Sequence, residues 1–284
     1  MNIKKQEIDN ALKYYSINDD EYRNKCYKCI DDINTIEEFN KKVEEIYNIL
    51  YIDKTFKIDT LWQRQDMREL FGEAYNPYVT NVLILLGYNL HKNNMEDVAY
   101  SNEQKAFYKN RVKESLTDDI YIRKLDGIRI SQMIWAAYFI NIKLIEVGRL
   151  QYEKCQDHIK IHIPAGSKLE LEQVKDSVEK SREKIKKYFK MENQEYHCDS
   201  WLLSNQLNEI IEDNSNIAKF YRLFEVRDGA DATKDILKYV FNVLECTDYN
   251  NLIENTTLQK ILKKELINNN VFKSGYGILK NHRN

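Results

Sequence analysis

The chain has 284 residues, of which 43% are apolar and 31% charged, with a formal net charge of −2. That is enough apolar material for a folded core, and with neither sign dominant there is no electrostatic case for nucleic acid or an anionic membrane surface as partner. Only 8 glycines and 2 prolines are present, where average usage gives about 34 together; collagen-like and Pro-rich disordered classes are excluded, a barrel or sandwich is disfavoured, and long helices are favoured.

The first 125 residues or so carry a helical pattern. Ile36, Phe39, Val43, Ile46, Tyr47 and Leu50 recur at spacings of three and four with Lys and Glu between them, which is the period of a helix with one apolar face. Asn34-Thr35 ahead of Glu37-Glu38 predicts a helix start there. Gly72 to Pro77 marks a break, and Val79, Val82, Leu83 and Leu86 predict an apolar helix after it. The polar stretch His91–Glu103 is expected to be a loop. The longest apolar run, Met133–Ile140, is far short of the ~20 residues of a membrane span and lies in a helix expected over Ile128–Ile140. The first residues, Met1 to Lys5, show no apolar signal region, and five cysteines at irregular spacing suit a reducing compartment; a cytoplasmic location is expected.

After residue 142 the period changes. Lys143–Lys154 and His158–Pro164 are rich in β-branched and aromatic residues and alternate, so they predict two antiparallel strands joined by Cys155–Asp157. Ile159, Ile161 and Ile163 would then face one side and His158, Lys160 and His162 the other. On the first strand Arg149, Gln151 and Glu153 share a face. Pro164-Ala165-Gly166-Ser167 ends the second strand, and an amphipathic helix follows over about Glu170–Tyr188, with Leu171, Val174, Val178, Ile185 and Phe189 as its apolar stripe. Tyr196–Leu203 predicts a strand with His197, Asp199 and Trp201 on one face and Cys198 and Ser200 on the other. Asn216–Phe224 predicts a short helix, Glu225–Arg227 a strand, and Ser274-Gly-Tyr-Gly277 a turn ahead of a last short strand, Ile278–Leu279. From 143 onward the order is strand, strand, helix, strand, helix, strand, an α/β module behind a helical one.

Several residues in this order could carry chemistry. The Pro164–Leu171 junction opens a helix, whose unpaired backbone N–H groups and dipole can hold a phosphate, with Gly166 permitting close approach and Ser167 and Lys168 adding a donor and a charge. Glu153 or His162 on the polar strand face is a candidate general base: a carboxylate would need burial to raise its pKa, whereas an imidazole already titrates near neutrality. His197 and Asp199 could relay protons or orient a base. Cys198 could be a thiol nucleophile, although nothing basic surrounds it in sequence, and a buried structural cysteine is the simpler reading. His158 and His162, four residues apart, would stand about 13 Å apart on a strand, too far to share one zinc, and Cys26-x-x-Cys29 has no partner pair; no metal is expected.

The segment Asn216 to Val226, with Tyr221 and the run Phe224-Glu225-Val226, resembles the fourth-helix pattern of the GNAT acyltransferase superfamily, with Leu223 where that pattern has Gly. Four blocks are similar to a bacterial acyltransferase family with a helical N-terminal domain and a GNAT-like C-terminal domain: Val147–Glu153, His162–Gly166, Cys198–Leu203 and Thr256–Leu279. The resemblance spans about 145–279. It implies an α/β (α+β) chain, with a helical domain over 1–122 and, over 123–284, a GNAT-like domain whose mixed, mostly antiparallel sheet is flanked by helices. It implies acyl transfer, an acetyl group foremost, from acetyl-CoA or another acyl-CoA to a small-molecule or peptide amine by direct attack. Coenzyme A would lie against Ile163, Pro164, Ala165, Gly166, Ser167, Lys168 and Leu169 and near Asn216. Glu153 or His162 would serve as base, Tyr221 would protonate the leaving thiolate, and Asp199 would assist. A homodimer is compatible with it. Two departures stand out. The junction holds one glycine where the superfamily has a Gly-rich loop, and Asp199 stands where most relatives carry His. The first leaves a second reading, a GNAT fold that binds a ligand or partner without catalysis; a Cys198 or His/Asp hydrolase is a third.

Overall fold

The computed structural model describes residues 1–53, 57–64, 66–164, 166, 168–243, 245–268 and 270–280. It divides into two compact units, Met1–Lys143 and Leu144–Asn284.

The first unit is helical: α1 Lys5–Tyr15, α2 Asp20–Thr35, α3 Glu37–Tyr47, α4 Met67–Phe71, α5 Val79–Leu86, α6 Tyr88–Asp97, α7 Asn102–Tyr121 and α8 Ile130–Ile140. Helices α5 and α8 are its centre, with Val82, Leu83, Met133 and Ile134 wholly buried. Helix α8 packs on α5, α6 and α7, so the division expected after residue 122 moves to Lys143. Two local expectations are corrected. Asn34 does not start a helix; its side chain holds the backbone of Ile3 in both directions, at 3.0 and 2.8 Å, and α3 begins after Ile36. His91–Glu103 is no loop. His91 and Met95 are buried on α6, and Ser101 opens α7 with a reciprocal cap to Gln104. Its polar surface residues hid a helix whose few apolar positions face inward. No described helix is long and apolar enough to cross a membrane.

The second unit is built on a six-stranded sheet, β1 Leu144–Val147, β2 Leu150–Lys154, β3 His158–His162, β4 Glu195–Ser200, β5 Phe224–Asp231 and β6 Lys273–Leu279, in the order β1-β2-β3-β4-β6-β5. Only β3 and β4 run parallel. The helix between them, α9 Leu171–Phe189, is the crossover such a pair requires. It packs on the apolar face, where the Tyr152 hydroxyl meets Ser177 Oγ at 2.8 Å and Ser181 Oγ meets the Tyr196 hydroxyl at 3.0 Å. Helices α10 Asn205–Ile210, α11 Asn216–Tyr221, α12 Thr233–Val240 and α13 Thr257–Ile267 complete the unit; α10, α12 and α13 share a smaller core of Leu207, Ile236, Leu237, Leu262 and Phe272.

Two strand expectations are corrected. Lys143–Lys154 is two strands, because Gly148 takes a left-handed conformation (φ 56°) and, with Arg149, turns the chain in two residues, the geometry in which such hairpins favour glycine. Ser274–Gly277 is not a turn but the middle of β6, between β4 and β5. Its glycines serve close approach. A Cβ on Gly275 would lie 1.9 Å from the carbonyl oxygen of Leu203, in the single 3₁₀ turn Trp201–Leu203 that crosses β6.

Candidate active site

Strands β3 and β4 pair only over His158–Lys160 and Glu195–His197. Beyond that they part. Pro164 has no N–H to continue the ladder from β3, while the end of β4 is drawn to β6 through Ser200 opposite Gly275. A cleft of about 330 Å³ opens there. One wall is Ile161, His162, Ile163, Pro164 and Gly166, the other Cys198 to Leu202; Arg149 from the β1–β2 turn and Asp235 and Tyr239 of α12 complete it.

The sheet register brings Glu153 and His162 together. Glu153 faces Lys160 and Gln151 faces His162, so Glu153 and His162 are diagonal neighbours on the polar face. His162 Nε2 and Glu153 Oε2 are 2.5 Å apart, with the Glu153 side chain 7% exposed and that of His162 22%. An ionised carboxylate only accepts hydrogen bonds, so Nε2 is the donor in this contact. The two residues that the sequence offers as alternative bases thus form one hydrogen-bonded pair, of which His162 lines the cleft.

Asp199 lines the opposite wall and is exposed. Across from it the Asp235 carboxyl is held above its ordinary range, by desolvation first, with the charge of Asp199 adding and Lys238 opposing. Of the junction residues, Ile163, Pro164 and Gly166 line the cleft, Gly166 with a φ of 111° that L side chains rarely adopt. The Lys168 carbonyl accepts from Arg149 Nε at 3.1 Å, and Leu169 is buried. Ala165 and Ser167 lie outside the described residues. Helix α9 starts at Leu171, with Glu170 as its N-cap.

Tyr221 and Asn216 stand elsewhere. The Tyr221 hydroxyl donates to Asn205 Oδ1 at 2.6 Å, and Asn205 Nδ2 donates to Asp228 at 2.7 Å. Asn216 begins α11 behind its cap Ser215. Neither is among the cleft-lining residues. Cys198 is buried, and burial with the adjacent Asp199 pushes its thiol up to about 12; almost none is thiolate at neutral pH, which opposes a cysteine hydrolase. His158 and His162 stand at opposite ends of β3, and among the described residues no group of three His, Cys, Asp or Glu could hold a metal ion.

Sequence reasoning missed Asp235 and Tyr239, because α12 carries no motif.

The description "GNAT-like C-terminal domain" belongs to the family model that matches residues 86–279. No curated protein matches the sequence. Solved structures share the fold. A crystal structure of an acyltransferase in complex with decanoyl-CoA and teicoplanin is 20% identical, over 74% of this chain and 68% of that one, with a TM-score of 0.60. A mutant acyltransferase in complex with octanoyl-CoA is 16% identical over 99% and 90%, with a TM-score of 0.69. An acyltransferase in complex with decanoyl-CoA is 14% identical over 96% and 98%, with a TM-score of 0.63.

Proposed function

The chain belongs to the GNAT-like C-terminal domain family, and on that premise we propose that it is an acyltransferase moving an acyl group from acyl-CoA to an amine. The observation that carries the proposal is the Glu153–His162 pair, whose His162 lines the cleft where β3 and β4 part. The donor thioester would enter between the two strands, whose parted edges offer backbone groups to a pantetheine arm. The junction at Gly166, beside Arg149, is where a pyrophosphate would lie; Gly166 has open space at its Cβ position, and a guanidinium suits phosphate oxygens.

Attack by the amine on the thioester carbonyl forms the C–N bond and breaks the C–S bond. In this reading His162 takes a proton from the attacking nitrogen and delivers it to the departing thiolate. Glu153 holds the ring by Nε2 and balances the imidazolium that forms between the two transfers. No covalent enzyme intermediate is required, consistent with the unreactive Cys198. The acceptor is a small-molecule or peptide amine. The structures that share the fold hold octanoyl- and decanoyl-CoA, so acetyl is one donor length among several to be tested.

The single glycine of the junction favours a second reading, in which the cleft binds a ligand without turnover. A thermal-shift titration with coenzyme A, acetyl-CoA, octanoyl-CoA and decanoyl-CoA tests both. Binding to the folded state alone at a hundred times Kd adds about 2.7 kcal/mol, a shift of several degrees for a chain of this size. A shift graded by acyl length, with coenzyme A released on adding an amine, supports transfer. A shift with no release supports the binding module, and no shift with any thioester removes the coenzyme A site.

A further inference from the structure

The end of β4 carries a tryptophan with two sets of neighbours. Trp201 lines the cleft, and it also packs against the apolar core that α10, α12 and α13 share. Its turn is held at several points. The Ser200 hydroxyl accepts from the Leu202 N–H at 3.2 Å, and the Trp201 carbonyl accepts from the Ser204 N–H at 3.1 Å. The Leu203 carbonyl oxygen lies 1.9 Å from where a Cβ on Gly275 would stand. Helix α12 faces the same two spaces. Asp235 and Tyr239, four residues apart and so on one side of the helix, line the cleft, while Ile236 and Leu237 between them are buried in the core. The cleft of about 330 Å³ and this core are therefore adjacent, and Trp201, like α12, borders both.

The acyl-transfer reading, on which this inference rests, puts the pyrophosphate at Gly166 and the thioester beside His162. The acyl chain then runs toward the opposite wall, where Trp201, Leu202 and Tyr239 are its apolar lining. An indole on a fixed turn, backed by a close-packed core, yields to an intruding chain only by forcing its neighbours out of place.

We propose that Trp201 sets the upper length of the acyl chain that this protein accepts, by closing the cleft against the core of α10, α12 and α13. Chains that stop short of the indole bury their methylenes in the cleft, and longer ones have to displace it. A small side chain at this position would join the cleft to space bordered by Leu207, Ile236 and Leu237, where each further methylene leaves water for apolar surroundings. The donor class is a straight-chain acyl-CoA of limited length. Trp201 is a specificity-determining residue and takes no part in the proton transfers.

The test measures Kd by isothermal titration for coenzyme A and for acetyl-, octanoyl-, decanoyl- and tetradecanoyl-CoA, each below its micelle concentration; this readout needs no acceptor. In the wild type, affinity should rise with chain length and then fall before tetradecanoyl-CoA. Trp201→Ala is expected to raise the affinity for tetradecanoyl-CoA relative to acetyl-CoA about tenfold, with coenzyme A itself within about threefold. Trp201→Leu should move the ratio in the same direction by less, and it serves should the alanine variant fold poorly. Leu262→Val trims the same core at a residue that does not line the cleft and should keep the wild-type ratio, which separates an opened wall from a loosened core. A ratio unchanged in the Trp201 variants, an equal shift in Leu262→Val, or a wild-type affinity that still climbs at tetradecanoyl-CoA overturns the inference. A wild type that binds neither coenzyme A nor any thioester overturns the acyl-transfer reading itself and this inference with it.

Discussion

His162 Nε2 lies 2.5 Å from Glu153 Oε2, diagonally across β2 and β3, and the carboxylate is almost wholly covered. A covered carboxylate is costly without a partner, so the contact fixes the ring as much as the ring uses the carboxylate. His162→Ala is expected to lower kcat by about 10²- to 10⁴-fold, the range of a lost acid–base group. Glu153→Gln is expected to cost less, because an amide can still hold the ring but cannot balance its charge. Steady-state kinetics with coenzyme A release as readout separates the two. Turnover unchanged in both variants removes the pair from the chemistry.

Tyr221 presents the opposite case. Its hydroxyl is committed to Asn205 rather than to the cleft, so Tyr221→Phe is expected to retain turnover within a few-fold. The lost hydrogen bond should appear instead in stability, at about 1 kcal/mol, in urea unfolding. A large fall in kcat with unchanged stability would restore the Tyr221 hydroxyl as proton donor.

His91 predicts a pH dependence in the helical unit. It is wholly buried, its Nδ1 is 3.1 Å from the Tyr15 hydroxyl, and burial, with Lys109 adding, lowers its pKa to about 3. The unfolded chain takes up this proton near pH 6.5 and the folded chain does not, so stability falls as the pH drops from about 6.5 toward 3. The slope is about 1.4 kcal/mol per pH unit from this residue. Unfolding free energies at pH 7 and 5 should differ less in His91→Asn than in the wild type, whatever the variant's stability at pH 7. Equal differences would place the acid sensitivity elsewhere.

Gly275 predicts a local failure. An alanine there would set its Cβ 1.9 Å from the Leu203 carbonyl oxygen, a backbone atom that cannot swing aside. Gly275→Ala is expected to destabilise by at least the 1–3 kcal/mol of an overpacked core. Any folded fraction should bind acyl-CoA more weakly, because the turn that holds the end of β4 away from β3 is displaced. An alanine variant of wild-type stability and affinity would show that this close approach is dispensable.

Much of the second unit was legible in the alternation of its strands. Ile159 and Ile161 against His158, Lys160 and His162 set both faces of β3, and the long stripe marked the helix α9, though not that it joins two parallel strands. Glu153 and His162 were visible as candidates, but not as partners: their nine-residue separation becomes 2.5 Å only through the register of β2 on β3. The helix α6 was missed because its polar residues outnumber the two, His91 and Met95, that point inward. The glycines of β6 misled because glycine marks turns and close approaches alike, and the sequence around them does not say which.

Composition, period and the scarcity of glycine and proline thus determined a helical half and an α/β half, since those properties depend on neighbours a few residues apart. The order of β6 between β4 and β5, the parting of β3 from β4, and the joining of Glu153 to His162 were decided by tertiary structure. Each depends on contacts between segments distant in the chain, where one carbonyl against one glycine, or one register position, selects which side chains meet.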